Sequence, residues 1–146
     1  MTVAPLRLPR AEAAAIIAHA RAAYPRECCG LLAGQAGRVV KRYQITNVYP
    51  GNDFFEMESH EQAAALDEIW EQRGWDLLAI YHSHPVSVAY PSARDQGIAV
   101  WPGTTDPVFP GTYYLICSLE RPEAPVLRAF LFQDGKVLEA PVVIED

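Results

Sequence analysis

The segment Ile80-Tyr81-His82-Ser83-His84-Pro85 places two histidines two residues apart at the end of an apolar run. Successive side chains of a β-strand point to opposite faces, so a strand here directs His82 and His84 to the same side. Pro85 cannot donate a hydrogen bond to a strand ladder, which predicts the end of the strand at this point. The sequence therefore predicts two neighbouring imidazoles at the end of a strand over residues 75–83.

A serine and an acidic residue follow these histidines at a spacing that suits a metal site. Seven residues separate His84 from Ser92, and Asp95 lies three positions further on. A helix that begins at Ser92 has Asp95 in its first turn, and the intervening loop can fold this carboxylate back toward the imidazoles. Two histidines and one carboxylate with one coordination position open are typical of catalytic zinc rather than structural zinc.

The pattern from Ser92 to Asp95 also has an explanation that needs no metal. Ser-x-x-acid is a capping box, which begins a helix. Ser92 can begin the helix and still present its hydroxyl to the site. For Asp95 we expect a conflict, because a carboxylate that caps the helix cannot easily also serve as a metal ligand.

The order of these residues resembles the motif of the JAMM, or MPN-plus (Mov34/JAB1-type), zinc metalloproteases, and the chain is similar to their small prokaryotic members. Pro85 fits the same motif, as does the upstream stretch Glu27-Cys28-Cys29-Gly30-Leu31-Leu32-Ala33-Gly34. The resemblance covers about residues 27–118. It implies one Zn²⁺ held by His82, His84 and Asp95, with Glu27 as the general base, and in this mechanism Ser92 donates a hydrogen bond to the oxyanion.

The resemblance also implies a class of substrate. JAMM proteins cleave isopeptide or peptide bonds after the C-terminal glycine of ubiquitin-fold proteins. Small bacterial members resemble enzymes that remove a conjugated protein, or an amino acid such as cysteine, from the Gly-Gly tail of a sulfur carrier. The expected partner is therefore a ubiquitin-like or sulfur-carrier protein, while the carrier and the type of bond stay open.

Three other functions stay open on the sequence alone. Proteins of this fold that lack the metal ligands serve as non-catalytic scaffolds, although all five site positions are present here. A small-molecule amidase or deaminase would use the same zinc chemistry, but the Cys-x-x-Cys pair of deaminases is absent. A regulator that binds zinc without catalysing a reaction would function equally well with the substitution Glu27→Gln.

Length, charge and cysteine content indicate the number of domains, the kind of partner and the cellular location. A chain of 146 residues suits one domain, here residues 1–146. The formal net charge of −6 argues against nucleic acid as the main partner. The chain has no apolar run of membrane-spanning length and no signal-peptide pattern, so we expect no membrane contact. Three cysteines without a Cys-x-x-Cys pair favour a reducing, cytoplasmic location.

The predicted elements together indicate one α/β domain with a mixed, curved β-sheet flanked by helices, although periodicity alone does not select this fold. We expect helices over residues 10–24, 59–73 and 92–101, the second opened by a capping box of Ser59 and Gln62. Residues 6–9 read as a lead-in without regular structure. The predicted strands cover residues 27–33, 39–46, 54–58, 75–83 and 113–119, followed by a hairpin of 126–133 and 136–144 about Asp134-Gly135. The JAMM resemblance implies the same architecture, a JAB1/MPN-like domain.

Two surface features bear on partners. The loop over residues 85–91 carries Val86, Val88 and Tyr90, which we expect to be partly exposed beside the metal, with the lining of a substrate groove and ordinary packing as the two alternatives. A homodimer face among the aromatic residues Tyr49, Phe54, Phe55 and Trp101 stays open, with core packing as the equal alternative.

Overall fold

The computed structural model describes residues 3–146, which contain eight strands and three α-helices. The helices are α1 (Arg10–Ala23), α2 (Ser59–Asp67), which continues into a π-helical turn (Glu68–Gln72), and α3 (Ala93–Ile98). The strands are β1 (Leu6–Pro9), β2 (Cys29–Gln35), β3 (Arg38–Ile45), β4 (Asp76–His84), β5 (Tyr113–Ser118), β6 (Val126–Gln133), β7 (Lys136–Ala140) and β8 (Val142–Glu145). The single domain predicted over residues 1–146 includes residues 1 and 2, which lie outside the described residues.

All eight of these strands belong to one mixed sheet in the order β7-β6-β5-β4-β2-β3-β1-β8. β1 runs parallel to both of its neighbours and β4 runs parallel to β5, whereas the other pairs are antiparallel. The edge strands β7 and β8 stand at opposite ends of this order, yet only Pro141 separates them in the sequence. The sheet must therefore curve until its edges nearly meet, which confirms the predicted α/β fold with a mixed, curved sheet.

The two ends of the chain differ from the prediction. Residues 6–9 are not a lead-in but strand β1, in which Leu6 and Leu8 are fully buried and pair in parallel with β8. The predicted strand over residues 136–144 is divided at Pro141, which has no N–H to donate to a ladder. The part before Pro141 pairs with β6 and the part after it with β1.

The cap of one helix, the end of another and one predicted strand also need correction. The cap of α2 is Glu58, whose carboxylate accepts a hydrogen bond from the Glu61 amide at 2.7 Å, so the predicted capping box of Ser59 and Gln62 is wrong. α3 ends at Ile98 and not at residue 101. Residues 54–58 form no strand but only an isolated bridge between Asn47 and Met57.

Helices cover both faces of the sheet. On one face, α1 packs Ile16 against Leu32 and Tyr81, all of them fully buried. On the other face, Ile69 of the π-helical turn packs with Leu31 and Ile80. Tyr81 and Ile80 are neighbours on β4, so the strand alternates as predicted, and the even-numbered positions that follow point to the second face. None of the helices described is both long and apolar enough to cross a membrane.

Gly30 in β2 lies where the sheet leaves no room for a side chain. A Cβ atom added there would stand 2.1 Å from Cε2 of Tyr81 and 2.4 Å from the carbonyl oxygen of Tyr43. Gly30→Ala is therefore expected to lower the free energy of unfolding by about 1–3 kcal/mol, as overpacking does in other cores. Urea denaturation measures this loss.

Gly97 in α3 provides the matched control, because a Cβ atom there meets nothing within 4 Å. Gly97→Ala is expected to keep or raise the stability, since alanine favours a helix over glycine by up to about 1 kcal/mol. A Gly30→Ala protein as stable as the wild type would contradict the packing described here.

Candidate active site

The C-terminal end of β4 and the first turn of α3 bring three predicted ligands together. The Nε2 atoms of His82 and His84 lie 3.1 Å apart, and Oδ2 of Asp95 lies 3.2 Å and 3.1 Å from them, respectively. All three side chains are buried. The alternation of β4 and the helix after Ser92 thus bring these residues together in the way their spacing predicts.

Asp95 caps its helix and faces the histidines at the same time. Ser92 is the N-cap of α3: its Oγ accepts a hydrogen bond from the Asp95 amide at 3.0 Å. The Ser92 amide in turn donates to Oδ2 of Asp95 at 2.9 Å, the same oxygen that faces the two imidazoles. The carboxylate of Asp95 therefore caps the helix and lies among the predicted ligand atoms at the same time, and its role as a metal ligand stays a prediction. A carboxylate oxygen has more than one lone pair, so the capping box orients this group instead of competing for it.

Each imidazole is held by a different contact. Nδ1 of His84 donates to the carbonyl oxygen of Val88 at 2.7 Å, which orients the ring with Nε2 toward the cluster. The ring of His82 stacks on Phe55, with centroids 4.6 Å apart and planes at 27°. Nδ1 of His82 has no hydrogen-bond partner within residues 3–146.

Burial and hydrogen bonds shift the pKa values of all three side chains in the cluster. Burial lowers the pKa of His82, which keeps its imidazole neutral. For Asp95, burial acts to raise the pKa, but its hydrogen bonds with His82 and His84 outweigh this and hold the pKa well below its usual range. For His84, burial acts to lower the pKa, whereas the contacts with Asp95 and the Val88 carbonyl raise it more. Metal ligation needs neutral imidazole and ionised carboxylate, so the pKa shifts of His82 and Asp95 favour the states that ligation needs, whereas the pKa shift of His84 opposes it.

The geometry of the three donor atoms fits zinc. In tetrahedral coordination with bonds of about 2.0–2.1 Å, two ligand atoms stand about 3.3 Å apart. The three separations here are 3.1 to 3.2 Å. Two nitrogen donors and one oxygen donor also match the ligand type of catalytic zinc, with a fourth position left open.

A cavity of about 460 Å³ opens beside this cluster, and Glu27, His84 and Ser92 all line it. Glu27 is only 5% exposed, and its Oε1 atom has no hydrogen-bond partner in the part of the chain described. Burial raises the pKa of Glu27 to about 8. A carboxyl group with a pKa of about 8 in a residue that lines a cavity is suited to accept and release a proton.

The loop over residues 85–91 borders the same cavity. Val86 lines it and is 73% exposed, and Val88 and Tyr90 are also exposed. The exposure expected for this loop is therefore confirmed, and its position beside the cluster suits a substrate groove.

The four aromatic residues considered for a dimer face divide into two groups. Phe54 and Phe55 are buried, so core packing accounts for them. Trp101 is 54% exposed, and Tyr49 is half-buried beneath Arg94, which donates to the Tyr49 hydroxyl at 2.9 Å. A dimer formed through Trp101 stays a prediction.

Sequence reasoning did not single out Asn47, Ser83 or Arg94, all of which hold parts of the site. Arg94 lies next to Asp95, and its Cζ stacks 4.3 Å above the ring centroid of Phe54. Ser83 stands inside the His-x-His segment, and that position is the only signal that marks it. Asn47 carries no signal, because an asparagine in a loop rich in Pro and Gly is ordinary.

Most of the chain matches the model of a known protein family. A family model described as prokaryotic homologs of the JAB domain matches residues 9–132. The chain belongs to this family. The resemblance to JAMM and MPN-plus proteins, and to their small prokaryotic members, is thereby confirmed.

Two curated relatives of this JAB-family chain carry names of hydrolases. It is 34% identical over 133 residues to the CysO-cysteine peptidase of Mycobacterium tuberculosis, a match that covers 88% of this chain and 83% of the relative. It is 36% identical over 125 residues to the desampylase of Haloferax volcanii, covering 81% of this chain and 84% of the relative. These relatives support a hydrolase.

Solved structures agree with the fold. A protein from Desulfitobacterium hafniense superimposes with a TM-score of 0.80 at 33% identity, covering 96% of this chain and 92% of the other. A JAB1/MPN domain protein from Archaeoglobus fulgidus superimposes with a TM-score of 0.58 at 19% identity, covering 94% of this chain and 98% of the other. The predicted JAB1/MPN-like architecture is thus confirmed.

Proposed function

We propose that this chain is a zinc-dependent peptidase or isopeptidase that cleaves after the C-terminal Gly-Gly of a ubiquitin-like or sulfur-carrier protein. The product released would be a conjugated protein or an amino acid such as cysteine. The triangle of donor atoms from His82, His84 and Asp95, next to the cavity that holds Glu27, carries this proposal. The names of the curated relatives, a peptidase acting on CysO-cysteine and a desampylase, support the class of substrate.

His82, His84 and Asp95 would hold one Zn²⁺ per chain. When bound, zinc supplies Lewis acidity, which polarises a carbonyl group and lowers the pKa of a water molecule toward neutrality. The protein's own part is to keep His82 neutral and Asp95 ionised by the burial and hydrogen bonds described above. The Val88 carbonyl fixes the orientation of the third ligand, His84.

Glu27 would move the proton. Its carboxylate accepts a proton from the attacking water and passes it to the nitrogen of the leaving amine as the peptide bond breaks. The raised pKa suits both halves of this transfer, because the same group must take a proton and give it up again near neutral pH.

Ser92 would stabilise the oxyanion. Its Oγ atom already accepts a hydrogen bond from the Asp95 amide, which leaves the hydroxyl proton free to be donated. A positioned donor of this kind is typically worth about 3–4 kcal/mol of transition-state stabilisation. The capping role of Ser92 and its catalytic role are therefore compatible.

The shape of the cavity favours a glycine tail. Pro25, Pro85 and Val86 line it together with Glu27 and His84. An extended segment without side chains can reach the cluster between such walls, since glycine adopts backbone conformations that other residues avoid.

A cysteine-based mechanism has no support. Cys28, Cys29 and Cys117 are free and buried, and burial raises the pKa of Cys28 to about 11 and that of the other two to about 12. Their thiols stay protonated and are poor nucleophiles. Free thiols also suit the reducing cytoplasm in which we propose that the protein works, as one domain over residues 1–146.

A cleavage assay tests the proposal. The probe is a purified ubiquitin-fold protein whose C-terminal Gly-Gly is extended by one cysteine, and a second probe carries the Gly-Gly joined to a lysine side chain. We expect zinc-loaded protein to remove the extension from at least one probe, as measured by mass spectrometry, and a chelator to stop the reaction until zinc is restored. If the zinc-loaded protein leaves both probes intact, a non-catalytic JAB module is the better account.

A further inference from the structure

Ser83 lies between the two histidine ligands but contacts a different part of the chain. Its side chain is fully buried, and its Oγ atom accepts a hydrogen bond from the backbone amide of Cys28 at 2.8 Å. The Ser83 amide also donates to the Cys28 carbonyl oxygen at 3.1 Å. Two hydrogen bonds therefore join Ser83 to Cys28, the residue that follows Glu27.

The side chain of Asn47 forms a hydrogen bond with the neighbouring carbonyl group, that of Glu27. Its Nδ2 atom donates to the carbonyl oxygen of Glu27 at 2.9 Å and, more weakly, to that of Phe54 at 3.4 Å. Its Oδ1 atom accepts hydrogen bonds from the amides of Tyr49 at 2.9 Å and Glu56 at 3.0 Å. One side chain therefore joins Glu27 to the loop over residues 48–56.

These two contacts act on a single peptide group. The Glu27 carbonyl and the Cys28 amide belong to the planar unit between these residues, and β2 begins only at Cys29. Two side chains thus fix a peptide plane that precedes the strand. The orientation of this plane sets the backbone rotation at Glu27 and with it the direction of the Cα–Cβ bond.

The Glu27 carboxylate depends on this backbone support. Its Oε1 atom is buried and has no hydrogen-bond partner within residues 3–146, so no such contact fixes the end of the side chain. A general base must stand within hydrogen-bond reach of the proton that it removes. The means of placing it here is the peptide group to which it is attached.

We propose that Ser83 and Asn47 are positioning residues that hold the Glu27–Cys28 peptide plane and thereby aim the Glu27 carboxylate into the cavity. This inference rests on the proposed function, in which Glu27 is the general base. It assigns to Ser83 a role in positioning Glu27, in addition to its place between His82 and His84.

The test compares Ser83→Ala, Asn47→Ala and Asn47→Asp. The aspartate keeps an acceptor for the Tyr49 and Glu56 amides but lacks the donor to Glu27, so it isolates that bond, and the uncharged Ser83→Ala guards against an effect of the added charge. We expect about one zinc per chain in every variant, a kcat on the Gly-Gly-Cys probe lower by about ten- to a hundredfold, and a KM within about twofold of wild type.

Thr112→Val is the matched control. Thr112 is buried and donates from Oγ1 to the Leu77 carbonyl at 3.0 Å, a comparable side-chain contact at the opposite end of β4. We expect this variant to lose a few degrees of melting temperature, as the others do, and to keep the wild-type kcat.

Three outcomes overturn the inference. The first is a wild-type kcat in Ser83→Ala and in both Asn47 variants. The second is loss of zinc, or a rise in KM alone, which would make the contacts merely structural. The third is full activity of Glu27→Gln, which removes the proposed function as well. An inactive Glu27→Gln beside fully active Ser83 and Asn47 variants sinks the positioning role and leaves the proposed function standing.

Discussion

Glu27→Gln is expected to keep one zinc per chain and to lose turnover by about a hundred- to ten-thousandfold, the range usual for a general base. Glutamine has nearly the shape of glutamate but cannot accept the proton of the attacking water. Glu27 is outside the triangle of donor atoms formed by His82, His84 and Asp95, so the metal should stay. Zinc analysis and kcat on the Gly-Gly-Cys probe, measured on the same preparation, test both halves of this expectation.

Asp53→Asn is the control for Glu27→Gln. Asp53 also lines the cavity beside the cluster, but it is exposed to solvent. Removing its charge should leave kcat within a few fold of wild type. If Glu27→Gln turned over the probe at the wild-type rate with one zinc bound, Glu27 would not be the base.

His84→Ala is expected to abolish both zinc binding and turnover. The substitution leaves two of the three donor atoms and deprives the Asp95 carboxylate of one of the contacts that keep its pKa low. The buried carboxylate keeps its contacts with His82 and the Ser92 amide, so we expect the loss of one hydrogen-bond partner to lower the free energy of unfolding by about 1–3 kcal/mol. Elemental analysis, the cleavage assay and thermal unfolding together measure these effects.

His60→Ala is the matched histidine control. His60 stands at the start of α2, is exposed, and forms its contact with Glu58 away from the cluster. We expect this variant to bind zinc and to cleave the probe as the wild type does. A His84→Ala protein that retained a full complement of zinc would show that the metal is held elsewhere.

The donor cluster could be predicted because its determinants are local. Alternation along a strand places His82 and His84 on one face, and a helix that begins at Ser92 places Asp95 in its first turn. What the sequence could not settle was whether Asp95 caps or ligates. That question depends on where its Oδ2 atom lies relative to imidazoles more than ten residues away, and in the structure this one atom both accepts the capping hydrogen bond and faces the two imidazoles.

The parts of the fold that escaped prediction depend on pairing between distant segments. β1 has only four residues, too few to show a pattern, and it is a strand because β8 at the other end of the chain lies beside it. The strand predicted over residues 136–144 is divided at Pro141 because β7 pairs with β6 at one edge of the sheet and β8 pairs with β1 at the other. Asn47 acquires its role only when the Glu27 carbonyl and the loop over residues 48–56 meet around it.

The measurement that tests the central claim most directly is the zinc content of the wild-type protein, purified without added metal and determined by elemental analysis. The account predicts about one zinc per chain, removed by a chelator and regained when zinc is supplied. A wild-type protein that holds no zinc, even after zinc is added and the excess removed, would contradict the account.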